Sequence, residues 1–210
     1  MFGLKSVYLY LIACQITLIK FFKKIYFASK NYNNSLESKT PKQIYYNPNP
    51  YLLSIIAPAN NQTFKISDID PNIFWLENKK NNLDQTHNFF WLNLLDRKAD
   101  HKKLKKIIYI WMIKNSKYRS KIWEASTLSE RIISWILNTD IILNNSTFEF
   151  KKNFLDCIIS QTNHLKKNIK FEKNPSTRIE ILTAIILTGL VFKEYEENYN
   201  FGIKEIESLV

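Results

Sequence analysis

The sequence predicts a mainly all-α protein built as a layered stack of helical hairpins. Three observations carry this expectation. Apolar residues recur at helical spacing from about Asp84 almost to the end of the chain. The chain holds only 3 glycines, too few for a sheet-rich fold with tight turns. The segment Ser126–Leu143 carries a broad apolar stripe, Ile132, Ile133, Trp135, Ile136, Ile141 and Leu143, which requires packing partners on more than one side.

Composition sets the outer bounds. With 210 residues, 45% hydrophobic and 14% aromatic, the chain has enough apolar material for one sizeable core, or for one domain with an appendage. Its net charge of +11 comes from lysines spread along the chain, a pattern of a solvated surface, so no specific nucleic-acid partner is expected. Neither GxGxxG nor GxxxxGK occurs, which argues against a phosphate-cradling loop. Cys14 and Cys157 stand in separate apolar segments and read as buried free thiols. His87, His101 and His164 form no zinc-binding spacing, so no metal or other cofactor is expected.

The elements follow in order. Residues 1–30 form an apolar and basic N-terminal helix, whose run Val7–Ile19 is followed by Lys20, Lys23 and Lys24. This run fits the core of a leader peptide in length, although the basic residues lie after it and no A-x-A site follows. It also fits a helix resting on a membrane surface, or one packed on the domain, and the uncleaved helix is the favoured reading. Residues 31–82 are a Pro- and Asn-rich arm. Tyr51–Ile56 and Thr63–Ile66 are candidate strands of a short hairpin. Phe74 and Trp75, in an irregular stretch, are expected to anchor the arm on the core.

Residues 83–210 are the main helical domain. His87, Phe90, Trp91, Leu94 and Leu95 lie at the spacing of one helix face. Ala99–Lys114 reads as a second helix, and Ser116–Ala125 as a loop. The central helix then starts with a capping box, Thr127 at the N-cap and Glu130 three residues on, with Arg131 and Asp140 on the surface. Thr147–Asn168 is a further helix, and Pro175 opens the next, which runs to Phe192. Tyr195–Gly202 reads as a polar loop, and Phe201–Val210 as a last helix whose apolar face finds no partner, which predicts marginal folding of an isolated chain.

Three of these blocks together resemble the N-terminal half of heparinase II/III-like proteins. They are THNFFWLNLLD (Thr86–Asp96), LSERIISWI (Leu128–Ile136) and RIEILTAIILTGL (Arg178–Leu190). In that family, similar blocks are successive helices of an incomplete α/α toroid. Ile185 departs from the small residue common in the third block, and residues 45–82 match loosely. The resemblance implies a polysaccharide lyase acting by β-elimination at a uronic acid, with an anionic polysaccharide as partner and the cell envelope or periplasm favoured over the cytoplasm.

The reaction needs a base, a group that neutralises the uronate and an acid for the leaving oxygen. The family's residues for these roles lie largely in later regions. No catalytic residue is therefore assigned, and the chain is expected to be a fragment without activity. His87, Trp91, Arg131, Trp135 and Arg178 are the candidate sugar contacts, tryptophan by stacking and arginine by pairing with uronate. Each has a competing role as core aromatic, internal ion-pair partner or helix-start hydrogen bonder. The alternative function is a non-catalytic helical binding or scaffold module for an anionic polysaccharide, a membrane surface or nucleic acid.

Overall fold

A computed structural model describes residues 4–42, 44–46, 66, 70–77, 86–95 and 100–208. It is mainly helical, with no strand among the described residues. The α-helices are α1 (Leu4–Ala28), α2 (Lys30–Asn34), α3 (Pro71–Glu77), α4 (His101–Asn115), α5 (Ala125–Leu137), α6 (Thr139–Leu143), α7 (Phe148–Asn168), α8 (Pro175–Val191) and α9 (Glu196–Glu207). Apart from Ile66, the candidate hairpin lies outside the described residues; Ile66 itself is buried.

Local chemistry explains most helix ends. Asp100 caps α4 by accepting from the amides of Lys102 and Lys103, and Thr147 caps α7 through the amide of Phe150. Asn174 caps α8, whose first residue is Pro175, a position where proline loses no helical hydrogen bond. Helix α5 departs from expectation. It begins one turn early, with Glu124 at a cap position that makes no side-chain bond, and Thr127 is buried inside it. The Glu130 carboxylate instead accepts from Asn88 Nδ2 at 2.6 Å, so the capping box does not form. The helix also breaks at Asn138, whose side chain bonds Ser134 O and Asn93 Oδ1, and α6 restarts after it.

Three other segments differ. Phe74 and Trp75 are buried as expected, but on a regular helix, α3. Thr86–Leu95 is not one helix: Phe89 adopts a left-handed backbone (φ 59°) and a 3-10 turn, Phe90–Leu94, follows. Tyr195–Gly202 is largely helical, because α9 starts at Glu196, where Glu196 and Glu197 favour the positive helix end.

Helix α5 sits at the centre, packed against α7, α8 and the 3-10 turn, with Leu128, Ile132, Trp135 and Ile136 fully buried. Helices α8 and α9 form a close pair through two glycines. A Cβ on Gly189 would lie 2.8 Å from Tyr199 Cβ and 2.9 Å from its Cα, and nearer still to its backbone nitrogen. Gly189→Ala is therefore expected to force α9 away from α8, costing about 1–3 kcal/mol of unfolding free energy by chemical denaturation. Gly202→Ala meets mainly the Ile186 side chain, which can adjust, and should cost less.

Candidate functional site

Four of the five sequence candidates meet in one place, and that place is the core. The short turn after Thr86 and the left-handed Phe89 bring His87, Phe89 and Trp91 onto α4 and α5. Trp111 Nε1 donates to His87 Nδ1 at 2.8 Å, and the Trp75 ring stacks on the imidazole at 5.3 Å between centroids. With Nδ1 accepting, the neutral ring carries its proton on Nε2. Burial, aided by the Arg131 charge, pushes the His87 pKa down to about 4.

Arg131 is the hub. Its guanidinium donates to Gln161 Oε1 (2.8 Å), His87 O (2.7 Å) and Ile122 O (3.1 Å), and lies 4.5 Å from the Trp111 ring centroid. Burial lowers its pKa to about 9, which leaves it charged at neutral pH. The guanidinium meets neutral acceptors and an aromatic face, so it ties three chain segments together as a multidentate donor. Gln161 in turn donates to Cys157 Sγ at 2.9 Å, and burial raises that thiol to about 12, an unreactive state.

These positions lie in the core and not along an open groove. Arg131 and Trp135 have no exposed surface and Trp91 retains 8%, because the stripe that looked like one face of α5 is enclosed from several sides. Arg131 is thus not a surface position. His87 is partly buried between Trp75 and Trp111. Arg178 stands apart at the start of α8, 3.7 Å from Glu205 of α9, which is its ion-pair partner. Trp111, Trp75, Phe89 and Gln161 complete the cluster. Trp111 was legible as an inward residue of α4, whereas nothing in the local pattern announces the turn at Phe89.

Open concavities lie elsewhere. A polar cleft of about 560 Å³ is formed by the strap Asn33–Thr40 against α4 and α7, with Tyr109, Lys117, Lys152 and Asp156 on its walls. Both Asp156 oxygens are engaged, one by Thr40 Oγ1 at 2.5 Å and the other by Lys152 Nζ at 2.9 Å. A second cleft, about 720 Å³, shares Thr40 and Lys152 with the first and has an apolar floor of Ile44, Leu143 and Leu155. Phe148, 83% exposed, and Lys42 and Lys151 stand at its margin. The two clefts adjoin across Lys152. Sequence reasoning missed this surface because its walls come from the strap and from outward positions on α4 and α7. One signal was available, the aromatic residues Tyr109 and Phe148 placed among lysines on otherwise polar faces.

Among the described residues, no group of His, Cys, Asp and Glu is placed to hold a metal ion. Cys14 is exposed, contrary to the expectation of two buried thiols, because α1 projects from the domain; Cys157 is buried. No protein-family model, curated protein or solved structure matches this chain.

Proposed function

We propose that this chain is the N-terminal, incomplete α/α-toroid portion of a heparinase II/III-like polysaccharide lyase, and that by itself it binds an anionic polysaccharide without cleaving it. The observation that carries the reading is the packing of the three resembling blocks around one helix. Arg131 of the second block bonds His87 O of the first, Asn88 bonds Glu130, and Phe89 meets Trp135 edge-on at 5.1 Å. The third block, α8, packs along α5, with Ser126 Oγ donating to Glu180 at 2.8 Å. The His, Trp and Arg residues of the first two blocks then serve the scaffold.

The adjoining clefts supply the sugar-binding surface. Tyr109 and Phe148 offer faces for stacking on pyranose rings, and Lys42, Lys117, Lys151 and Lys152 offer charge to uronate carboxylates. No residue there is assigned as base or acid. Titration of the chain with polyuronate oligosaccharides is expected to give saturable binding that weakens with salt and at least tenfold with Phe148→Ala/Lys151→Gln, without the ultraviolet absorbance of an unsaturated product. Equal binding to a neutral glucan, or none to any polyuronate, would sink the reading.

A further inference from the structure

Helix α1 leaves a long apolar surface uncovered. Val7, Leu9, Leu11, Ile16, Leu18 and Ile19 are exposed, and none of the most apolar 18-residue window is buried against the domain. Its far end is nevertheless built into the core. Phe27 is 8% exposed and lies 5.1 Å from the rings of both Tyr118 and His164. Just beyond, Tyr32 is 3% exposed and its hydroxyl lies 2.8 Å from His164 Nδ1. Asn33 closes the joint, donating to Phe27 O at 3.1 Å and accepting from the Tyr118 amide at 2.9 Å. A leader peptide is cut away from the protein it exports, whereas here removal of α1 through Ala28 would take a core residue with it.

We infer that α1 is a retained membrane anchor that inserts Val7–Ile19 into an anionic lipid bilayer. Thirteen residues of helix at 1.5 Å each place roughly 20 Å of apolar rod in a hydrocarbon layer about 30 Å thick. Charge marks where insertion stops. Lys20, Lys23, Lys24 and Lys30 follow the apolar run and form a collar at the headgroup level, with the exposed rings of Phe21, Phe22 and Tyr26 among them. An apolar rod followed by interleaved lysines and aromatic rings matches a bilayer read from its hydrocarbon to its headgroup level.

A second element contributes at the same level. Phe171, 59% exposed, follows α7 and holds Lys23 Nζ 4.4 Å and Lys170 Nζ 5.1 Å from its ring centroid. The domain therefore presents its own aromatic and lysines beside the emerging helix. The occupant that complements both features is a membrane carrying negative headgroups. Within the rod, Thr17 Oγ1 donates to Ala13 O at 2.8 Å, which satisfies its hydroxyl without water.

The test is flotation of the full chain with vesicles of phosphatidylcholine containing phosphatidylglycerol, and with phosphatidylcholine alone. Wild type is expected to float with the anionic vesicles and to resist extraction by alkaline carbonate. Leu11→Asp/Leu18→Asp changes only exposed positions, so it should keep the wild-type circular dichroism and melt while losing at least tenfold in bound fraction. Lys20→Gln/Lys24→Gln should lose the preference for the anionic vesicles. The inference is overturned if wild type stays in the aqueous fraction, including as a dimer that hides α1, or if the Asp variant floats equally well. It is overturned also if protein recovered from cells has its N-terminus beyond Ile19.

Discussion

Arg131→Ala is expected to remove about 3–5 kcal/mol of stability, enough to unfold a substantial fraction of the domain at ordinary temperature. Two effects add. The substitution empties a guanidinium-sized volume beside Trp111, and it strands the acceptors Gln161 Oε1, His87 O and Ile122 O in the interior. Two milder variants separate these effects. Arg131→Met fills much of the volume but leaves the acceptors bare. Arg131→Lys keeps a charge but lacks the planar fork needed to serve three directions at once. Both should fall between wild type and alanine in urea midpoint. An alanine variant within about 1 kcal/mol of wild type would show that the cluster tolerates loss of its hub.

Acid is the second large lever. Burial, with the neighbouring Lys23 and Lys167 charges, pushes the His164 pKa down to about 3, and His87 is held near 4. In the unfolded chain both titrate near their ordinary value of about 6.5. The folded state therefore has its full stability above that pH, where both forms are neutral. It loses stability as pH falls, because the unfolded chain takes up protons that the folded chain refuses until about 4 and about 3. For His164 alone the loss is on the order of 3 kcal/mol by about pH 4.

Geometry agrees with this sign. Asn168 Nδ2 donates to the Tyr32 hydroxyl at 3.0 Å, which leaves the hydroxyl's own proton to serve a neutral His164 Nδ1, 2.8 Å away. A protonated imidazole would set two donors against each other. Denaturant midpoints measured from neutral pH down to about pH 4 should fall steeply for wild type and less so for His164→Gln, which cannot take up the proton. Parallel slopes for the two proteins would assign the acid sensitivity elsewhere.

What could be read from the chain alone follows from how local each cause is. Helices α7 and α8 were legible because Thr147, Asn174 and Pro175 act on their own neighbours. The start of α5 was not, since Thr127 and Glu130 have the right spacing for a capping box while Glu130 is claimed by Asn88, 42 residues earlier. The break at Phe89 has the same origin: a left-handed phenylalanine is locally disfavoured and is held there by contacts with Trp91, Trp111 and Trp135. Four of the five candidate residues, His87, Trp91, Arg131 and Trp135, do lie together, while Arg178 stands apart. The place of the four was misjudged, because an arginine with neutral partners gives no acidic counterpart for a sequence reader to find. The clefts were invisible for a related reason, being made by a strap whose position depends on bonds such as Asn163 to Leu36 O, 127 residues apart.

The joint between Tyr32 and His164 also orders events in time. The two residues are 132 apart in sequence. At about 5–20 residues per second, synthesis of His164 follows that of Tyr32 by roughly 7–26 seconds. An interval of the same length separates their emergence from the ribosome, and during it the pocket for the base of α1 does not yet exist. Its apolar rod is then free to meet whatever takes up nascent hydrophobic segments, long before the domain closes on Phe27 and Tyr32. On the anchoring inferred above, the order of synthesis sets capture of the helix before docking of the domain.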